Sequence, residues 1–102
     1  MATSHSTLTA NATTNINVGT VATDHGVIIN YSLSRDTLYA AGHILVLNKT
    51  ASVEYDHDWF GDDAGLTVAA DIDTGNLRLN MTVDNSDAND ITFNYNKTAI
   101  TL

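Results

Sequence analysis

The sequence predicts an all-β protein: an antiparallel β-sandwich or jelly roll of seven or eight strands with an N-terminal arm. Three observations carry this expectation. Eleven of the twelve acidic residues are aspartate, asparagine is equally frequent, and threonine occurs fifteen times. Threonine and valine favour strands, and aspartate and asparagine favour turns, while the helix formers Glu, Lys and Arg are scarce. Strict two-residue alternation of apolar and polar side chains runs through 66–72 and again through 76–83, the period of a half-buried strand. Turn signals recur at intervals of about 8–12 residues, as in a sandwich of short strands.

Taken in order, residues 1–23 read as an N-terminal arm and a first strand. Ile16, Val18 and Val21 suggest the strand, whereas Leu8 is the only large apolar residue of 2–14. The body, 24–102, follows in the same single domain. Val27, Ile29, Tyr31 and Leu33 share one face of a strand introduced by Asp24-His25-Gly26 and ended by Arg35-Asp36. Leu38 to Asn48 is more continuously apolar and is interrupted by Gly42, as in a strand covered on both faces or carrying a bulge. Thr50 to His57 comes next, with Val53 and Tyr55 inward. Leu66, Val68, Ala70 and Ile72 face Leu77, Leu79, Met81 and Val83 across the turn Asp73-Thr74-Gly75-Asn76, a short hairpin. The last strand shows Ile91, Phe93 and Tyr95, then changes phase to Ile100 and Leu102, which predicts a bulge near Asn96 to Thr98.

Composition excludes several classes of function. The net charge is −8 and the pI about 4.4, so nucleic acid and anionic membrane surfaces are not expected partners. No apolar run approaches the ~20 residues of a membrane span. The N-terminus lacks the basic and apolar regions of a signal peptide. There is no cysteine, so no disulfide or thiolate zinc site staples the fold. A core this small is marginal without staples, which predicts association with further copies as a trimer or dimer.

Candidate sites are few. Asp56, Asp58, Asp62 and Asp63 stand close together around His57, Trp59 and Phe60. Calcium takes 6–8 oxygen ligands, but the spacing matches no EF-hand loop, so an exposed turn bonding its own amides is the simpler reading. Asp84 to Asp90 reads as a second solvated loop. His5, His25, His43 and His57 show no zinc-binding spacing, and there is no Gly-x-Ser-x-Gly elbow, so neither an enzyme nor a cofactor is expected. His43, on the apolar 38–48 strand, reads as a core or interface residue. Solvent faces rich in Asn, Thr and Tyr, with Trp59, suit carbohydrate. The arm reads as a clamp that adds a strand to a neighbour, with Leu8, Ile16 and Val18 as interface anchors.

The order of features from Val27 to Tyr95 resembles small β-rich virion proteins of tailed bacteriophages. The likeness rests on Ile29-Asn30-Tyr31-Ser32-Leu33-Ser34-Arg35, on Gly42-His43-Ile44-Leu45-Val46, on the acidic 56–63 segment, on Gly65-Leu66-Thr67-Val68-Ala69-Ala70 and on the 77–83 strand. It implies a structural virion protein of the capsid decoration (cement) or tail-fibre type. A chain of 102 residues opening on its own Met, with no fibre repeat before it, favours the decoration type. The expectation is then a cement protein on the capsid surface, with itself and the major capsid protein as partners. The alternative is a carbohydrate-binding receptor module of a tail fibre.

Overall fold

Alternating side chains sort eight strands into two antiparallel sheets that share one core. The computed structural model describes residues 3–101. The strands are β1 (Ser4–Leu8), β2 (Ala12–Thr20), β3 (Asp24–Arg35), β4 (Leu38–Asn48), β5 (Val53–Gly61), β6 (Leu66–Asp73), β7 (Asn76–Val83) and β8 (Ile91–Thr101). One sheet has the order β1-β8-β3-β4-β5, the other β2-β7-β6. The inward residues of β3 (Val27, Ile29, Tyr31, Leu33), Ile44, Val46, Ile91 and Phe93 meet Val18, Val68, Leu77, Leu79, Met81 and Val83 of the smaller sheet. Three strands cannot cover five, so β5 and the second half of β8 overhang the core and stay largely exposed.

The 66–83 hairpin forms as expected. Asp73 pairs with Asn76, and the two residues between them have φ of 50° and 78°, the left-handed pair that a tight hairpin turn needs to match strand twist. Thr74 occupies one of these positions although its branched Cβ disfavours it.

Three local expectations are corrected. Residues 4–20 are not an arm laid on a neighbour but two strands of the chain's own sheets, β1 on β8 and β2 on β7. The open edges of the chain's own β8 and β7 offer this Thr/Asn-rich segment ladder hydrogen bonds, and Leu8 and Val18 gain full burial. Met1 and Ala2 lie outside the described residues. Secondly, β8 pairs with β3 in unbroken register from Thr92 to Ile100, and the shift falls between Asp24 and Gly26 on β3 instead. The phase change in β8 has another cause. Inner-face Lys97 and Ala99 overhang the core, while Ile100 stands on the outer face across Gly26 from Leu47; Leu102 lies outside the described residues. Thirdly, β4 is neither bulged nor covered twice. Gly42 is there because β5 approaches closely: a Cβ would stand 2.3 Å from the Asp58 carbonyl oxygen and 2.9 Å from Trp59 Cβ.

The inward parity of β3 also places Arg35 inside, only 1% exposed. Nε donates to Asn89 O (2.9 Å), Nη1 to Ala64 O and Asp84 Oδ1 (both 2.8 Å), and Nη2 to Asp84 O (3.1 Å) and Asp87 O (2.5 Å). Five bonds match the five donors of a guanidinium, which is how a buried cation becomes tolerable. They tie the end of β3 to the connections 62–65 and 84–90. The β1–β2 connection joins them, since Ala10 N donates to Asp90 Oδ1 (2.9 Å) and Asn11 N to Asp84 O (3.3 Å). Hydrogen bonds from Ser86, and then from Arg35, hold the Asp84 carboxyl below its usual range.

Three outcomes follow from this architecture. Thr74→Asn is expected to raise stability by about 1 kcal/mol, by relieving a strained residue, whereas Gly75→Ala lowers it by a similar amount; urea midpoints measure both. Arg35→Met leaves a carboxylate and several carbonyls unpaired and is expected to cost about 3–5 kcal/mol, with Arg35→Lys recovering only part of the fork. The depressed Asp84 carboxyl contributes stability that is present above the unfolded aspartate value of about 3.9 and lost as pH falls through its lowered native value. Urea midpoints between neutral and strongly acid pH should therefore fall less steeply for Asp84→Asn than for the wild type.

Candidate functional site

The outer face of the five-stranded sheet, turned away from the core, is an ordered grid whose rows follow from strand register. Nearest the Arg35 end, Tyr39, Ser34, Thr92 and Thr7 stand in line across β4, β3, β8 and β1. Beside them run Phe60, Ala41, Ser32, Asn94 and His5. Next come Asp58, His43, Asn30 and Asn96. The last two rows turn apolar: Asp56, Leu45, Ile28 and Thr98, then Glu54, Leu47, Gly26 and Ile100.

The first two rows form a shallow groove of about 390 Å³. Tyr39 and Phe60 wall one side and are 64% and 73% exposed. Its floor is the small side chains Ser32, Ser34 and Ala41, and Asn94 closes the far side. The Asn94 amide oxygen contacts His5 Nδ1, which fixes that wall. The groove combines two exposed ring faces, a floor free of bulk, and hydroxyl and amide groups. No Asp, Glu, Lys or Arg lines it, although the chain carries −8 overall. Such a surface offers ring faces for stacking and neutral hydrogen-bonding groups, with no formal charge to meet.

On the inner face a second cluster lies at the overhanging margin. Tyr31 stacks on Phe93 (4.9 Å between ring centroids), and Phe93 meets Tyr95. Tyr31 Oη is 2.6 Å from His57 Nε2. Burial pushes Tyr31 up to about 12. Burial also lowers His57, with Asp58 and Asp56 opposing and His43 adding to the effect. Both groups are thereby held neutral, and the pair fastens β5 to β3.

The residues singled out in the sequence are dispersed. Leu8 and Val18 are fully buried in the chain's own core, with Ile16 packed against it, so none stands as a free anchor. His43 is exposed, its Nε2 3.9 Å from Asp58 Oδ2. Asp56 and Asp58 belong to β5 and not to a turn, and project from its outer face; only Asp62 and Asp63 lie in the connection. Asp62 Oδ2 accepts from Tyr39 N (3.0 Å), and Asp63 Oδ1 from Gly65 N (2.9 Å). Among the described residues, no three His, Asp or Glu side chains converge as a cation site. Neither Trp59 nor Phe60 plugs the core: they are 44% and 73% exposed. Tyr39, Ser32, Ser34 and Asn94 were not singled out in the sequence, because only strand pairing brings them together.

No family model matches the chain, and no curated protein does. Among solved structures, a tailspike protein of Acinetobacter phage vB_ApiP_P1 matches 98% of this chain at 14% identity, with a TM-score of 0.60. What the two share is the fold. The chain spans 22% of that tailspike's length, so the match is to one portion of a much longer protein.

Removing the phenol in Tyr31→Phe deletes one half-buried bond and is expected to cost about 1 kcal/mol in urea unfolding. The lowered His57 stabilises the native state above the ordinary value of 6.5, and this contribution is lost as pH falls through the lowered native value. His57→Gln should accordingly show a smaller loss of midpoint between neutral and mildly acid pH than the wild type.

Proposed function

We propose that the chain is a structural virion module of a tailed phage, working in the tail apparatus that contacts the host. The observation that carries this reading is the match of nearly the whole chain to part of a phage tailspike. The resemblance of the 27–95 segment to phage virion proteins points the same way. A capsid decoration role draws on the same small sandwich, but no site of the structure speaks for the shell over the tail. The module acts by binding and not by catalysis.

Its ligand on this reading is a neutral saccharide chain of the host surface, taken up by the Tyr39–Phe60 groove. Pyranose faces stack on exposed rings, and the Ser32, Ser34 and Asn94 side chains supply the polar contacts that orient hydroxyls. Self-association as a trimer or dimer belongs to the same proposal, because several weak sugar contacts on one particle gain avidity. Titration of the labelled protein with a panel of neutral oligosaccharides, followed by amide chemical shifts, tests it. Shifts at 32–34, 41 and 94 are expected for at least one sugar. Tyr39→Ala and Phe60→Ala should each weaken that binding by about 1 kcal/mol, while these exposed positions leave the melting temperature unchanged. Absence of any response, or wild-type affinity in both variants, would sink the saccharide reading. Immunogold labelling of virions tests the location separately, gold on the capsid shell and not the tail being the adverse result.

A further inference from the structure

The free long edge of the larger sheet is β5. It closes one end of the strand order, runs nine residues, and pairs with β4 without a break from Ala40 to Asn48. Proteins usually blunt such an edge with charged side chains, lysine above all, or with proline, a bulge or brevity, because its unpaired N–H and C=O groups invite another strand. The β1 edge is only five residues long, and the register of β2 is broken between Asn17 and Gly19. In β6, Asp71 and Asp73 are engaged by Arg78 at 2.7 and 3.4 Å. β5 has no lysine, proline or bulge.

What β5 does carry is a one-sided charge pattern. Glu54, Asp56 and Asp58 alternate along its outer face, opposite Leu47, Leu45 and His43. Basic groups near them make only exposed contacts: Lys49 reaches Glu54 at 3.1 Å, and the His43 ring stands 3.9 Å from Asp58, contacts of small energetic weight. The alternate positions Tyr55 and Trp59 are 47% and 44% exposed and leave apolar surface on the other side of the strand.

We propose that β5 accepts an extended segment of a partner protein as a sixth strand, and that this segment carries Lys or Arg at alternate positions with apolar residues between. An added strand places its side chains about 4.5–5.5 Å from those directly opposite, so alternate cations meet Glu54, Asp56 and Asp58 while the intervening residues cover Tyr55 and Trp59. The ladder supplies affinity and the charge pattern selects the partner. A second copy of this chain is the wrong occupant in a continuous sheet. Two-fold pairing about His57 sets Asp56 of each copy against Asp58 of the other, and like charges directly opposite are unfavourable.

The test uses the folded protein and a capped peptide matching the nine residues of β5, with lysine alternating with valine and threonine. Amide shifts and hydrogen-exchange protection should appear along 53–61 and at the neighbouring Leu45 and Leu47. The double variant Asp56→Asn, Asp58→Asn should weaken binding about tenfold at low salt. A peptide with glutamate in place of lysine should not bind. Backbone N-methylation of the lysine peptide should abolish binding, which separates strand addition from charge attraction alone. The proposal fails if the N-methylated or glutamate peptide binds as well, if the shifts map elsewhere, if no peptide binds, or if β5 pairs with β5 of a second copy. None of these results bears on whether the Tyr39–Phe60 groove binds saccharide.

Discussion

One buried guanidinium organises an entire end of this molecule. Arg35 leaves β3 on the inward side, where a charge is tolerable only if every donor is met, and the backbone of two other segments converges to meet it. The connections 62–65 and 84–90 have little apolar content of their own, so they cannot hold a shape by burial. They hold it because their carbonyls solvate Arg35. The β1–β2 turn is then fastened to the same loop through Asp84 and Asp90, and β1 and β2 are thereby brought to the open edges of the two sheets. The interior cation is thus linked, through one loop, to the turn that joins β1 and β2.

Charge is distributed with a clear asymmetry. The loops at the Arg35 end hold Asp36, Asp62, Asp63, Asp84, Asp87 and Asp90, and the outer side of β5 holds three more carboxylates. Between these acidic borders, the upper outer face presents serines, threonines, asparagines and two aromatic rings. Acids at the rim give it a negative potential, while no Asp, Glu, Lys or Arg lines the groove between them. The groove and the β5 edge therefore differ in chemistry, one uncharged and the other acidic, and Phe60 belongs to both. The Tyr31–His57 contact bears on both, since it fastens β5, which carries Phe60, to β3 beside the core.

Much of the body was legible in the sequence. The hairpin 66–83, the strand 27–33 and the alternation at 91–95 depend only on local periodicity and turn chemistry, and they form as read. The strand around Val53 and Tyr55 was legible, but its continuation to Gly61 was not, because the inward repeat is interrupted at His57 and the alternating acids look like a turn. Around Ile16 and Val18 a first strand was legible, and β2 forms there, but β1 and the pairing of both strands within the chain were hidden: Thr, Ser and Asn side chains fit a ladder or a solvated arm equally well. The Tyr39–Phe60 groove could not be foreseen, since Tyr39, Phe60, Ser32 and Asn94 come from four strands and meet only through register.

By itself the sequence determined the fold class, the phase of the central strands and the absence of thiol chemistry, because composition and two-residue periodicity are properties of the chain's own order. Tertiary structure alone decided which strands became edges, which inward positions were covered, and where Arg35 found its partners. Those outcomes depend on pairing between segments far apart in the chain, where a five-stranded sheet faces only three, and no local pattern encodes which side chains that mismatch leaves in water.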